Sequence, residues 1–253
     1  VSVVGDDAFG RQILADLDRL GVEWAGVEVV AGPTGLTVAA VRPDGERAFL
    51  SSFGSQARLD PDLLQRQAGR IEAAGVVCLV GQFCLPTLST TAAATLLGRV
   101  RARGATTLLD TGWDPAGWPP ASVDAVRDLL PTVDLFLPNA DEARALSGEP
   151  DPAAAATKFR ADGAGVVAVK LGADGSLAVA ADGEHRAAAL PVAALDAVGA
   201  GDTFDAGFLR ALMLGHDVPQ ALALGNSAAG LYVSRAGDRW PTWDELVGAA
   251  GRD

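Results

Sequence analysis

This 253-residue chain is poor in the side chains that most often do chemistry: two cysteines, two histidines, one methionine and one tyrosine. Cys78 and Cys84 have no further cysteine partners, which argues against a disulfide framework or a thiolate zinc site. Both are expected to be small core or pocket residues in a reducing compartment. His185 and His216, both in turn-like contexts, give little material for a Ser-His-Asp triad or a histidine metal centre. No apolar run approaches ~18 residues, so no membrane-spanning helix is predicted. No charged segment precedes an apolar stretch near the start, so no secretory leader is expected either. Positive charge is also scarce: 20 Lys and Arg face 32 Asp and Glu, a net charge of −12, and Lys158 and Lys170 are the only lysines. That balance disfavours nucleic acid and anionic membranes as partners. A small anionic ligand stays open, because backbone N–H groups hold phosphate without side-chain charge.

What the chain has in quantity is apolar sequence, 49% of residues, enough to bury a sizeable core in one large or two small α/β domains. "VSVVG" reads as a strand and about Phe9–Leu20 as a helix. Three β-like runs follow, "VEVVA", "GLTVAAVR" and "ERAFLSSF", the last two joined by Pro43-Asp44-Gly45, a strong turn signal. They read as a small antiparallel sheet inserted early, over about residues 27–53. From Pro61 onward, apolar strands ("GVVCLVG", "TTLLD", "DLFLP", "VVAVKL") alternate with helices. That pattern indicates a parallel sheet covered on both faces. A hairpin around Asp174-Gly175 comes next, and helices over about Gly201–Leu214, Pro219–Ser234 and Trp243–Ala250 close the unit.

There is no G-x-x-x-x-G-K-[ST] loop and no nucleophile elbow. "GAGVVA" at Gly163–Ala168 leads into a strand instead of opening a helix, so it is not a dinucleotide fingerprint. The informative stretch is "DAVGAGDTFDAGF", Asp196–Phe208. Gly199, Ala200 and Gly201 stand directly before an amphipathic helix whose Phe204, Phe208 and Leu212 share one face. N–H groups at a helix start lack intrahelical partners and carry partial positive charge, and small residues let a ligand approach them. Asp202 would stand beside a phosphate there, able to take a proton from an attacking hydroxyl, an effect typically worth ~10²–10⁴ in rate. Its plainer role is to favour the helix N-terminus by ~0.3–1 kcal/mol. The motif alone does not separate the two.

The same stretch resembles the C-terminal signature of the ribokinase-like carbohydrate kinases, the phosphofructokinase B family. The resemblance runs along nearly the whole chain, through "VVGDDAFG", "PTGLTVAAVRPDGERAF", "DTGWDPAGW", "LPNADEA" and "VKLGADGS", in the family's order. It implies one α/β domain over residues 1–253, a ribokinase-like parallel-sheet sandwich with a small antiparallel β lid. It implies an ATP-dependent, cytoplasmic kinase that phosphorylates a sugar hydroxyl with Mg²⁺ and forms a homodimer. Asp202 would be the catalytic base, and Gly199, Ala200 and Gly201 an anion hole. Asn139 and Glu142 match the family's N-x-x-E, which organises magnesium, water and phosphate, although the same pair has the spacing of a helix capping box. Lys170, Gly172 and Gly175 would lie by the nucleotide and Asn226 near adenine. Thr34, Gly35, Thr37, Gly54 and Asp110 would lie on the substrate side.

Asp196 resembles a ligand of the monovalent-cation (K⁺) site of some members, but the family's Thr-rich form reads Asp196-Ala197-Val198 here. Gly112 stands where related sugar kinases often carry Asn. Members usually also have an upstream strand, a Gly-Gly-Asn turn and a helix that hold a substrate-binding Asp, so the natural protein is expected to be longer than this chain. The alternatives are a nucleoside or vitamin-precursor kinase of the same fold and a non-catalytic nucleotide-binding remnant.

Overall fold

The computed structural model describes residues 1–41, 47–235 and 240–251. The Pro43-Asp44-Gly45 turn lies outside them. The chain forms two compact units, one of residues 1–107 and 112–115, the other of residues 108–111 and 116–253.

Unit 1 opens with β1 (Ser2–Gly5) and α1 (Ala8–Arg19), followed by β2 (Val27–Val30). β2 pairs in parallel with β1, Ser2 opposite Val27. The sequence reading had grouped "VEVVA" with the lid strands. The helical crossover of α1 brings it back beside β1 instead, as a parallel βαβ unit requires. β3 (Leu36–Val41) and β4 (Arg47–Ser52) do form the expected antiparallel ribbon, Leu36 opposite Ser52. After a 3₁₀ turn at Gly54–Arg58 come α2 (Pro61–Arg66), α3 (Ala68–Glu72), β5 (Val76–Val80) and α4 (Thr90–Arg101). The apolar spacing around Leu63–Ala73 suits one helix, but the chain breaks at Gln67, which ends α2 and starts α3. Cys78 lies exposed on β5, where it lines a cavity, and Cys84 is half-buried, so neither is a core residue and Cys78 is a pocket one.

β6 (Thr106–Asp110) carries the chain into unit 2, which adds α5 (Pro120–Leu129), β7 (Leu135–Phe136), α6 (Ala140–Ser147), α7 (Pro152–Ala161), β8 (Val166–Lys170), β9 (Ser176–Ala180), β10 (Gly183–Ala187), α8 (Ala200–Met213), α9 (Val218–Val233) and α10 (Trp243–Ala250). β6, β7 and β8 run parallel, and β9 and β10 return antiparallel, in the order β10-β9-β8-β7-β6. The apolar runs read from the sequence are the buried strands: Val167, Ala168, Val169 and Leu177 are fully buried. Phe204 and Phe208 of α8 stack at 5.9 Å and pack into a core with Leu108, Leu135, Leu222 and Leu246. Side chains cap most helices, among them Asp7, Asp60, Ser89, Asn139, Asp151, Asp217 and Thr242. No side chain caps α8.

Candidate active site

The start of α8 is built from backbone. Gly199 is left-handed at φ 81°, which a residue with a side chain rarely adopts. A Cβ added there would lie 3.1 Å from the Tyr232 hydroxyl. Tyr232 in turn stacks on Trp240, ring centroids 4.8 Å apart. The approach to the turn is tied to α9, where the Leu195 N–H donates to the Val233 carbonyl at 2.7 Å. The Ala200 N–H donates back to Ala197 O at 3.3 Å, and Thr203 N–H bonds Gly199 O at 3.0 Å. The N–H groups of Gly199, Gly201 and Asp202 take no partner among the described residues. Of the three residues expected to form the anion hole, Gly199 and Gly201 thus have open donors. Ala200 spends its own on the turn, and Asp202 adds a third donor.

Asp202 is exposed on the first turn. Beside it opens a cleft of about 380 Å³ whose lining includes Thr203, Arg210, Trp240, Pro241 and Trp243. One turn further on, Asp205 is buried, 7% exposed. The two carboxylates are three residues apart on one helix and live in opposite environments.

Asp205 belongs to a buried ion cluster. Lys170 Nζ, at the end of β8, donates to Asp110 Oδ2 at 2.7 Å and to Asp205 Oδ1 at 3.0 Å. Burial pushes the Asp205 carboxyl well up; Lys170 pulls it down and Asp110 pushes it up again. Burial alone would lower Lys170, but the two carboxylates outweigh it and hold the ammonium up at about 12. One cation thus neutralises two acids, and the second oxygen of Asp205 is left without a hydrogen bond. A proton on Asp205 is the economical way to settle that excess. The ammonium also lies 3.4 Å from where a Cβ on Gly201 would sit, so the cluster backs directly onto the start of α8. Lys170 and Asp110 were expected at a nucleotide and a substrate; the structure gives both a protein partner. Asp205 was given no role in the sequence reading. The signal was present, since it falls within the Phe204–Phe208 stripe, where an unpaired carboxylate would be costly.

Asn139 and Glu142 form a complete capping box on α6: the Glu142 N–H donates to Asn139 Oδ1 and the Asn139 N–H to Glu142 Oε2, both at 2.9 Å. The box does not exhaust Glu142. Its carboxyl is 4% exposed and is pushed up, first by burial and then by Asp110 against the pull of its hydrogen bonds. A nearby cation would ease both effects.

Other expected residues have local jobs. The Asp174-Gly175 region is a hairpin, Lys170 opposite Ser176, closed by a 3₁₀ turn over Gly172–Asp174. At Gly175 a Cβ would meet Ala187 O at 2.1 Å. The Asn226 amide donates to that same carbonyl at 3.0 Å and to Ala188 O at 2.9 Å, pinning α9 to the end of β10. Asp196 is exposed and accepts the Val198 N–H at 2.9 Å. Among the described residues no cluster of three His, Cys, Asp or Glu side chains is placed to hold a metal ion.

In unit 1, Thr34 is buried, accepts the Gly5 N–H at 3.0 Å and donates to Asp7 Oδ1 at 2.6 Å. The Thr34 hydroxyl, followed by the N–H groups of Gly10 and Thr34, holds the Asp7 carboxyl down at about 2. Gly35 and Gly54 pack close to Thr34: a Cβ on Gly54 would meet Pro33 O at 2.5 Å and one on Gly35 would meet Gln56 Oε1 at 2.8 Å. Thr37 lies apart on the ribbon, its hydroxyl 2.9 Å from that of Ser51.

A family model described as pfkB family carbohydrate kinase matches residues 1–245. The chain is 32% identical over 247 residues to a 2-dehydro-3-deoxygluconokinase of Thermoproteus tenax, covering 94% of this chain and 74% of that protein. Its fold matches the ribokinase of Arabidopsis thaliana complexed with ribose and ATP at a TM-score of 0.84 and 25% identity, over 100% of this chain and 81% of that one. A PfkB protein from Polaromonas sp. JS666 matches at 0.83 and 29% identity, over 98% and 82%.

Proposed function

This chain belongs to the pfkB family of carbohydrate kinases, and we propose that it transfers the γ-phosphoryl group of ATP to a sugar hydroxyl at the start of α8. The observation that carries the reading is an uncapped helix N-terminus, with free N–H groups on Gly199, Gly201 and Asp202, next to an exposed carboxylate. Backbone donors fixed in this way stabilise charge developing on phosphoryl oxygens without reorganising. Asp202 accepts the proton of the acceptor hydroxyl as the new O–P bond forms and the bond from the γ-phosphorus to the bridging oxygen breaks, releasing ADP. Its place on the first turn also keeps the acceptor oxygen beside the same N–H groups. Mg·ATP, when bound, supplies the transferring group and neutralises part of its charge; Glu142, with Asn139, is the side chain suited to organise the metal. Lys170 positions Gly201 from behind. Asp196 keeps its exposed loop, where a monovalent cation would be held. A homodimer in the cytoplasm belongs to the same proposal.

Asp202→Asn keeps the loop and removes the base. Phosphoryl transfer should fall by about 10² or more with little change in Mg·ATP affinity or melting temperature. Turnover within a few-fold of the parent would remove Asp202 from the mechanism. Glu142→Gln keeps the capping box, since Gln serves at that position. It should melt like the parent and need more Mg²⁺ for half-maximal rate. An unchanged Mg²⁺ dependence leaves Glu142 a cap only.

A further inference from the structure

The cleft of about 380 Å³ beside Asp202 has two chemically different ends, and every residue that lines it belongs to unit 2. Asp202, Ala206 and Arg210 follow one another at i, i+4 and i+8 on α8, so they share one face of the helix, and all three line the cleft. The carboxylate stands at the N-terminal end and the guanidinium belongs to the other. Between them Ala206 contributes only a methyl group, which keeps that stretch low enough for a ligand to lie along the helix. Trp240, Pro241 and Trp243 supply an apolar, aromatic wall.

The wall is fixed in place. Trp240 stacks on Tyr232 with ring planes 14° apart, and Tyr232 abuts the Gly199 turn. Trp240 nevertheless stays 47% exposed. A held aromatic ring left partly in water suits a ligand with an apolar C–H face and polar edges. Arg210 is exposed, and its side chain has no hydrogen-bond or ion-pair partner among the described residues. Arg66, Arg99, Arg103 and Arg235 are each paired with a glutamate. In a chain with 32 acidic residues against 20 basic ones, the cation at the end of this cleft is one that a bound anion would not have to win from a carboxylate. Eight residues of helix set the two Cα atoms about 12 Å apart. The arginine side chain leans back toward the helix N-terminus and shortens that gap to suit a ligand the length of a pentose or hexose.

We propose that this cleft seats the acceptor and that the acceptor is an anionic sugar, a placement that rests on the kinase function proposed above. The reacting hydroxyl lies at Asp202, the C–H face lies on Trp240, and a carboxylate or phosphate at the far end of the sugar takes the guanidinium fork of Arg210. Arg210 and Trp240 are then the residues that select the acceptor, and neither takes part in the transfer itself.

The test measures binding of three matched pairs by calorimetry, with and without Mg·ADP, and then ATP turnover on the same compounds. D-gluconate and D-ribonate carry the carboxylate, D-glucose 1-phosphate and D-ribose 1-phosphate the phosphate, and D-glucose and D-ribose neither. At least one anionic sugar should bind about tenfold or more tighter than its neutral counterpart, and which arm does so identifies the anion. Arg210→Gln should erase that preference and raise KM for the anionic sugar by about tenfold or more, while KM for Mg·ATP and the melting temperature stay near the parent's. Arg210→Lys should restore part of it. Trp240→Ala should weaken acids and neutral sugars alike, and Trp240→Phe should recover most of the loss. Equal binding of anionic and neutral sugars, or a preference for the anion that survives Arg210→Gln, would overturn the proposal. Binding through Arg210 without ATP consumption would leave this seat standing and remove the kinase function. Phosphorylation of a neutral sugar with the same KM in parent and Arg210→Gln would keep the kinase function and end the proposal.

Discussion

β5 and β8 both open on Val-Val and are mostly apolar, "VVCLV" and "VVAVK", yet they are opposites in environment. Val167, Ala168 and Val169 of β8 are fully buried between β7 and β9, whereas Val80 of β5 is 47% exposed. Among the described residues β8 has two strand neighbours and β5 one, and burial follows that difference. Enclosure also decides what polarity a region can use. Because β8 is sealed, the lysine at its end meets two carboxylates in a low dielectric, where burial raises the Asp205 carboxyl and the ammonium pulls against that rise. Unit 1 has ion pairs too, such as Arg66 with Glu28 at 2.8 Å, but they lie at the surface, where such pairs contribute little.

The largest effect should come from breaking the sealed side. Lys170→Met leaves Asp110 and Asp205 buried without their cation and should cost about 3–5 kcal/mol in denaturant unfolding. Adding Asp205→Asn to it should recover part of that loss. If Lys170→Met unfolds like the parent, the cluster is not sealed. Next, Val167→Thr places a hydroxyl where no water reaches and should cost about 1–3 kcal/mol by the same measurement.

A smaller effect is expected from pH. A carboxyl whose folded value lies above its unfolded one binds a proton more readily when folded, so stability falls as pH rises from the ordinary Asp value toward the folded one. Asp205 therefore makes the protein less stable at pH 7 than at pH 5, by at most ~1.4 kcal/mol per pH unit. Lys170 runs with the opposite charge: its contribution is complete below its ordinary value of 10.5 and is lost only as pH passes about 12. Melting curves of Asp205→Asn between pH 5 and 8 should thus be flatter than the parent's, and parallel curves would refute the shift. The smallest effect belongs to the open side. Val80→Thr should change stability by no more than ~0.5 kcal/mol, and a loss as large as that of Val167→Thr would mean that β5 is already covered in solution.

Much of the architecture was legible because period and punctuation agree. The α6 box could be read from Asn139 and Glu142 three residues apart, and the α8 mouth from its glycines. What escaped was contact between distant residues. Lys170 lies 60 positions from Asp110 and 35 from Asp205, and no local pattern links them. β2 was misassigned because its four residues suit either sheet, and only the return of α1 places it beside β1. The break at Gln67 divides a helix whose apolar pattern continues across it. Tyr232 and Trp240 drew no attention as single aromatics; their role comes from the shape of the Gly199 turn that Tyr232 abuts.

The uncharged flank of β5 also bears on what would happen when copies of this chain crowd together. Copies that meet through that flank meet without electrostatic repulsion at the point of contact, despite the overall charge of −12. Loss of monomer on storage would then grow with concentration and respond weakly to salt, and one lysine at position 80 would act as a gatekeeper that lengthens shelf life without touching the catalytic machinery.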